Sequence, residues 1–543
     1  MLFQLLNCCN HVVFSKKEGY QMKNKRFLAI STAVAISISA LAAPASAAPA
    51  GFQDAAHKGL QESLDQYAEV YDAGVGSYEE AMKGVNATLD VSLEDSGKAF
   101  LGLVAPMDLS WLNGATLSMD ATIADFSEAA KMDLLINGAT ILSMLFQMDI
   151  DTMDMLVQVP QISPTYLKGN YTQIMETALA EDPAAAEEIP FTPEMYNFMM
   201  KSLFSFLQNP LSSEAITGIM DRYASMVLDS FEDLGAEEAV VTAGDITENA
   251  TMVTGKLTEI AAYNIVTDVL KTAKDDADIK DILLSYGGDN AEESYAEFVA
   301  AIDKLLNDLA EEAPDPESEE YVICRLYVND DDEVIGSQSA ITSYGEEEVF
   351  MSCFVPSADN QSALHLEVGE SDFILDGKGE ITDGLLSGNY LLCAGDEPIA
   401  NIEVINYDAA AAEEGSFIGT YRITLASDDE EMAFFSAFGL TVNVNTSNVY
   451  GGTIALTLDS NGAPLATVTM TAGYGDGAEV LDIASAEPAL DMIDGEAMAE
   501  YMSSIDIGAI IQSLLDAGVP EDFINGILGM MMGEEAYAGD DAA

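Results

Sequence analysis

The chain has 543 residues, with 20 lysines and arginines against 93 aspartates and glutamates, so its formal net charge is −73. Nearly half of the residues (49%) are hydrophobic, which is enough for a large core and excludes disorder throughout the chain. This much negative charge repels phosphate backbones and anionic lipid head groups, and therefore argues against nucleic acids and anionic membrane surfaces as partners.

The N-terminal segment, residues 1–48, is typical of a secretory signal peptide. It contains in order a positive region, an apolar run and a small-residue cleavage site: Lys23, Lys25 and Arg26, residues 27–43, and Ala45-Ser46-Ala47. The apolar run is short for a bilayer span, which favours a cleaved signal over a membrane anchor. Met22 is an alternative start that would leave residues 1–21 upstream of the protein. We therefore expect a bacterial protein that is secreted, extracellular or on the cell surface, with no membrane span after cleavage.

The first part of the mature chain, residues 49–313, is predicted to combine an antiparallel meander with helices. Residues 56–72 have helical spacing, and apolar residues then alternate with polar ones in five stretches: 87–93, 117–123, 130–136, 142–150 and 153–159. Asn137-Gly138 is a two-residue hairpin signal between two of them. These strands predict a sheet with one apolar and one polar face.

Helices are predicted to follow the meander, at 171–181, 193–207, 212–234, 258–274, 276–285 and 291–310, with one strand at 246–257. An acidic segment with two prolines, residues 311–317, then reads as a linker.

Residues 314–490 are rich in strand patterns, and helices are predicted again near the C-terminus. The strands are expected near 322–328, 348–356, 363–368, 387–394, 400–406, 417–426, 438–446, 452–458 and 464–472. Residues 491–543 are interpreted as C-terminal helices and an acidic tail. We expect residues 314–490 to complete the sheet of the first part, because its strands need partners and a helix cover. The alternative is that the linker separates two domains.

Catalytic motifs are scarce in the mature chain. His57 and His365 are its only histidines, and there is no nucleophile elbow and no phosphate-binding loop around Gly255. Cys324, Cys353 and Cys393 lie in strand-like contexts and lack zinc-site spacing, so they are either buried thiols or one disulfide with one free thiol. We therefore predict a protein that is not an enzyme and has no cofactor, catalytic residue or metal site.

The apolar face of the meander is rich in methionine, which is flexible and lines adaptable apolar surfaces. Seven residues are the candidate ligand-binding group: Met119, Met132, Met144, Phe146, Met148, Met153 and Met155. One interpretation is an ordinary core packed against helices. The other is an apolar cavity between a curved sheet and its helices, which would accept a lipid or another apolar molecule.

The order of a helix, Met-rich two-faced strands and the segment Val157-Gln158-Val159-Pro160-Gln161 with Tyr166-Leu167-Lys168 resembles the LolA/LppX-like superfamily. It is similar in particular to uncharacterised secreted proteins and lipoproteins of anaerobic Gram-positive bacteria. The resemblance implies an α+β fold in which a large curved antiparallel sheet, a half-open barrel, has helices on its concave face. Characterised members of the superfamily carry lipoproteins or lipids in that cavity.

Two functions follow as hypotheses. The first is a secreted, non-catalytic protein that binds a lipid or other apolar ligand between sheet and helices. The alternative is a ligand-free structural or interaction protein of the bacterial cell surface, which the acidity and the scarcity of catalytic motifs favour. The sequence indicates no particular protein partner.

Overall fold

A computed structural model of the chain describes residues 51–104, 108–124, 127–181, 209–286, 291–311, 313–343, 345–369, 373–426, 435–448 and 451–532. The predicted signal peptide, the predicted helix at 193–207 and the last eleven residues of the acidic tail lie outside these ranges. The described residues form an α+β protein dominated by antiparallel strands.

The described helices are α1 (Phe52–Lys83), α2 (Asp95–Val104), α3 (Tyr171–Glu181), α4 (Ser213–Leu228), α5 (Glu259–Asp275), α6 (Ala277–Tyr286), α7 (Ala291–Glu311), α8 (Ala409–Glu413), α9 (Gly495–Ser503), α10 (Ile507–Asp516) and α11 (Glu521–Met532). Serine, threonine and aspartate begin several of them as N-caps. At α5, for example, the Thr258 side chain accepts a hydrogen bond from the Ala261 backbone N–H.

The described strands are β1 (Val85–Leu93), β2 (Gly114–Ala124), β3 (Ser127–Ile136), β4 (Ala139–Asp149), β5 (Asp154–Gln158), β6 (Tyr166–Asn170), β7 (Glu232–Ala243), β8 (Ile246–Thr258), β9 (Tyr321–Val328), β10 (Val334–Ser343), β11 (Glu346–Phe354), β12 (Ser357–Ala358), β13 (Gln361–Val368), β14 (Phe373–Thr382), β15 (Leu385–Ala394), β16 (Glu397–Asp408), β17 (Ile418–Leu425), β18 (Phe438–Asn448), β19 (Gly451–Ser460), β20 (Ala463–Tyr474) and β21 (Ala489–Asp491).

The chain forms two compact units, each built from segments that are distant in sequence. Unit 1 comprises residues up to Ala73, Pro210–Gly415 and Tyr421–Ser436. Unit 2 comprises Gly74–Asn209, Ser416–Thr420 and the residues from Ala437 onward. The acidic segment at 311–317 therefore lies within unit 1.

The sheet of unit 1 is antiparallel and open, with the strand order β7–β8–β9–β10–β11–β13–β14–β15–β16 among the described pairings. Its β7–β8 hairpin folds back over the middle of the sheet. Lys378 Nζ on β14 lies 2.6 Å from the Asp245 carboxylate in the hairpin turn. The backbone N–H of Ser357 donates to the Glu248 carboxylate at 2.6 Å. The hairpin is therefore tied to β14 and to the start of β12 by side-chain contacts.

The core of unit 1 lies between α1 and the strands β8 and β9. It comprises Phe52, Ala55, Ala56, Leu60 and Leu64 of α1, Ala224, Leu228 and Phe231 around the end of α4, and Val253, Leu257, Val322, Cys324, Leu326 and Val328 of the strands. Because the α1 residues recur at helical spacing and the strand residues alternate, both elements bury one face against the other.

Asp276 joins the helices of unit 1 through a buried polar network. Its carboxylate accepts hydrogen bonds from the Arg222 guanidinium and from the Tyr223 hydroxyl, the latter at 2.7 Å. Burial alone would raise the pKa of Asp276, but the hydrogen bonds from Tyr223, from Arg222 and from backbone N–H groups at the start of α6 together lower it. The Asp276 carboxylate therefore stays ionised in the folded protein, and its hydrogen bonds link α4 to the α5–α6 junction.

Unit 2 contains a second open sheet with one parallel pair. Strand β21 runs parallel to β6. The antiparallel order then continues β6–β5–β4–β3–β2–β1–β20–β19–β18 among the described pairings. Strands from opposite ends of the sequence meet where β1 pairs with β20. The turn between β3 and β4 has positive φ at both Asn137 and Gly138 (50° and 82°), which confirms the predicted two-residue hairpin.

Most predicted elements are present, but two helices have wrong boundaries. The helix predicted at 56–72 extends over Phe52–Lys83. The helix predicted at 212–234 ends at Leu228, and strand β7 begins at Glu232. This strand pairs with β8 through its backbone and exposes most of its side chains, including Leu234 at 50% and Val240 at 58%, so it lacks the alternation of a half-buried strand. The sequence patterns did not predict helices α2 and α8 or strands β6, β10, β12, β14 and β21.

Candidate apolar ligand-binding face

The sheet of unit 2 has one face made of aliphatic and methionine side chains, here called the apolar face. Opposed residues of an antiparallel sheet share a face, so the register defines its rows. The central row is Val444, Ile454, Met470, Leu89, Leu117, Leu134 and Leu142, and one neighbouring row is Val442, Leu456, Val468, Val91, Ala115, Ile136 and Ala139. The row on the other side contains Ala472, Ala87, Met119, Met132 and Met144.

The apolar face is substantially exposed in the middle of the sheet. Leu89 is 37% exposed, Leu117 is 44% exposed and Met470 is 40% exposed, although all three belong to the central row. Val91 in the neighbouring row is 42% exposed. Isolated exposed apolar residues are ordinary on protein surfaces, but adjacent ones on neighbouring strands form a patch of the kind that binds a ligand or partner.

The structure separates the seven predicted site residues into groups. Met119, Met132 and Met144 lie side by side in one row, and Phe146 follows Met144 on the same face of β4. Each of these four is partly exposed.

The other three predicted residues lie toward the far end of β4. Met148 opposes Met155, and Met148 is buried at 4% exposure. Met153 lies in the turn before β5 with a φ of 62° and is 1% exposed. Met153 is therefore a core residue of the turn rather than a member of a strand row.

Helices cover both ends of the apolar face. At the β3–β4 hairpin, Ile141 packs in a cluster with Ala517, Val519 and Ile524, joined by Trp111 and residues of α10 and α11. At the opposite end, Met148 and Ile150 pack with Phe146, Met155 and Tyr171, the first residue of α3. Between these two clusters lie the partly exposed rows described above.

The opposite face of the same strands is polar. Thr453 and Thr471 lie within hydrogen-bond distance at 3.3 Å, as do Thr457 and Thr467 at 3.1 Å. Asn86 donates to the Asp120 carboxylate on the neighbouring strand. The two faces therefore differ sharply, as the alternation of the sequence predicts, and the apolar patch is confined to one of them.

Among the described residues, Glu128 is the one acidic residue on the strand positions of the apolar face. It lies on β3, directly opposite Ile123 of β2 and Met148 of β4. Among the described residues its carboxylate has neither a hydrogen bond nor an ion pair. Burial raises the pKa of Glu128 above its ordinary value. The face therefore carries a single carboxylate in surroundings that disfavour its charged form.

Replacement of Glu128 by methionine is expected to stabilise the protein at neutral pH. A raised pKa in the folded state means that the wild type is most stable below the ordinary glutamate pKa and loses that stability as pH rises through the raised value. At pH 7 the substitution should raise the free energy of unfolding by about 1 kcal/mol. This is the low end of the penalty for an unpaired buried polar group, because the Glu128 side chain is partly exposed. Urea unfolding at pH 7 and pH 4 measures it, and an equal gain at both values would contradict the prediction.

A cavity of about 820 Å³ lies elsewhere in unit 2, at strands β4 to β6 and the segment before α9. Its lining is mostly polar and includes Asp149, Asp154, Lys168, Asn170 and Asp491. Met155 is the one predicted site residue among its lining residues. This cavity therefore has the wrong chemistry for an apolar ligand, and the exposed rows are the better candidate.

The two described histidines have structural partners, and the described cysteines are unbridged. His57 Nε2 lies 2.9 Å from Asp229, and the His365 ring stacks on Phe354 with centroids 6.1 Å apart. The three described cysteines are free thiols, and burial raises the pKa of Cys324 to about 12. Within the described residues, no cluster of three or more histidine, cysteine or acidic side chains has the arrangement of a metal site.

The fold and the exposed rows define the class of this molecule only broadly: an α+β protein with large, open, mainly antiparallel sheets and an apolar patch. Comparisons with protein-family models, curated proteins and solved structures each found no match for the chain. None of the helices in the described ranges is both long and apolar enough to cross a membrane.

Several residues of the apolar face were missed as site residues in the sequence. Leu89, Leu117 and Leu134 alternate as strand residues do, but nothing in their spacing separates an exposed row from a core row. Met470 joins them from more than 300 positions away in the chain, through the pairing of β1 with β20. The strand pattern at 464–472 was the available signal, and its partner strand was not predictable from it.

Proposed function

We propose that this protein is secreted and non-catalytic, and that it holds the hydrocarbon chain of a lipid on the apolar face of unit 2. The observation that carries the proposal is the exposure of the central row across adjacent strands of a chain with a net charge of −73. Such a patch is costly in water, and covering it with an apolar molecule gains about 25 cal/mol per Å² of apolar surface removed.

The composition of the face favours a hydrocarbon chain over a protein partner. Its central rows consist of Leu, Val, Ile, Ala and Met, without an aromatic or arginine residue. Protein interfaces are enriched in aromatic residues and arginine, which supply their binding energy. Seven adjacent strands at about 4.8 Å spacing make the face roughly 29 Å wide, and strands of 10 or 11 residues are about as long, so an extended long acyl chain fits along a row or along a strand.

The signal-like segment before residue 49 and the likeness to LolA/LppX-like proteins support the same proposal. In that superfamily a half-open barrel holds lipids or lipoproteins against its concave face. We extend this arrangement to unit 2, with its sheet as the curved surface and Met119, Met132 and Met144 as an adaptable part of the lining. The methionines suit this role because their side chains adjust to chains of different length and saturation.

Native mass spectrometry of the mature chain, residues 49–543, purified without detergent, tests the proposal. We expect either a bound species of a few hundred daltons that organic solvent removes, or one adduct per chain when hexadecanol is added to the extracted protein. The mass of a co-purified species would also identify the class of lipid.

A bare chain that gains no mass with hexadecanol would contradict lipid binding. The apolar face would then belong to a ligand-free structural or interaction protein of the cell surface. Analytical ultracentrifugation of the same sample provides the control, because self-association through the face would also exclude hexadecanol and would appear as a dimer.

A further inference from the structure

We infer that the ligand of the apolar face is a long-chain amphiphile with a cationic ammonium head group, which Glu128 binds. This inference rests on the proposed function and specifies the ligand. Its basis is the position of Glu128 in the rows of the face, between Ile123 and Met148 of the neighbouring strands.

The position of Glu128 places a carboxylate at one end of a hydrocarbon-binding surface. Ile123 and Met148, which flank Glu128, belong to the cluster that closes this end of the face, while the rows containing Met132 and Leu134 lie further along β3. A hydrocarbon chain that runs along β3, across these rows instead of along one of them, would bring its head group next to the carboxylate. Because no described residue donates a hydrogen bond to Glu128, its carboxylate is free to accept hydrogen bonds from an ammonium group.

The charges around the face disfavour an anionic head group. Unit 2 has four lysines and no arginine among its described residues. Lys131 and Lys168 lie on the polar face of their strands, where Lys131 pairs with Asp133 at 2.7 Å. Lys83 and Lys98 lie on helices α1 and α2. A carboxylate or phosphate head group would therefore meet Glu128 without a compensating cation among the described residues, and the two negative charges would repel each other.

Calorimetric titration of the mature chain with three C12 amphiphiles, in 0.15 M salt, tests the inference. We expect dodecylammonium to bind about tenfold more tightly than dodecanol, as a charge-assisted hydrogen bond provides, and dodecanoate to bind most weakly. In the Glu128→Gln variant, dodecylammonium and dodecanol should bind about equally, with dodecanol affinity unchanged.

Asp476→Asn is the matched control, because it removes one exposed carboxylate from a loop of the same unit and should leave the preference intact. Equal affinities of the three amphiphiles for the wild type, or a preference that survives Glu128→Gln, would overturn the inference while leaving lipid binding in place. Failure of all three to bind would overturn the proposed function as well.

Discussion

Replacement of Phe52 by alanine should lower the free energy of unfolding by about 4 kcal/mol, the usual effect of truncating a fully buried aromatic residue. Phe52 is 0% exposed, and its ring centroid lies 5.1 Å from that of Phe231. Its ring also packs closely against Gly255 of β8, which has no side chain to displace it. The alanine variant would leave a cavity between α1 and the sheet, in the centre of the unit 1 core. Urea unfolding followed by circular dichroism measures the loss.

Phe373 supplies the control for this experiment, because it is a phenylalanine of the same unit that is 44% exposed. Phe373→Ala should change the free energy of unfolding by less than about 1 kcal/mol. Gly255→Val tests the same contact from the other side. A Cβ on Gly255 would lie 2.3 Å from Phe52 Cδ1, so the larger side chain should cost about 3 kcal/mol. Equal effects of the two phenylalanine variants would contradict this account of the core.

Met132→Asp should weaken the binding of hexadecanol by at least about tenfold. Met132 lies in the middle of the methionine row, between Met119 and Met144. A bound chain would bury the new carboxylate without a partner and would lose the packing of the methionine, and a tenfold change corresponds to only about 1.4 kcal/mol. Affinity is measured by titration of the extracted protein, after thermal melting has shown that the variant is folded.

The control adds the same charge to the polar face of the same sheet. Thr471 is exposed there, two strands from Met119, and Thr471→Asp should leave hexadecanol affinity within about twofold of the wild type. If Met132→Asp does not fold, Met132→Gln replaces it and should show a smaller loss in the same direction. Unchanged binding by a folded Met132 variant would exclude this row from the site.

Much of the fold was predictable because its strands have two different faces. Alternation at 117–123 and 130–136 predicted β2 and β3, and Asn137-Gly138 predicted the turn after them. The omitted strands break that pattern for physical reasons. Strand β10 buries small polar residues such as Ser337 and Ser339. Strand β14 contains Gly377, where a Cβ would lie 2.6 Å from the backbone and ring of Tyr390.

The candidate site was predictable in its chemistry but not in its extent. The alternation placed Met119, Met132 and Met144 on one face, and the register aligns them in one row. Met153 was assigned to the same face because it continues the alternation, but the positive φ of the turn removes it from the strand. The contribution of β18 to β20 depends on long-range pairing, which local spacing does not encode. Glu128 was overlooked because a lone glutamate in an acidic chain carries no signal.

The position of the ligand is the central claim, and methyl spectra of ¹³C-methionine-labelled protein test it most directly. Signals of Met119, Met132 and Met144, assigned by single substitutions to leucine, should shift when hexadecanol is added. Signals of Met220 and Met252, which belong to α4 and β8 of unit 1, should not. Shifts confined to unit 1, or no shift at saturating hexadecanol, would contradict the assignment of the apolar face as the lipid site.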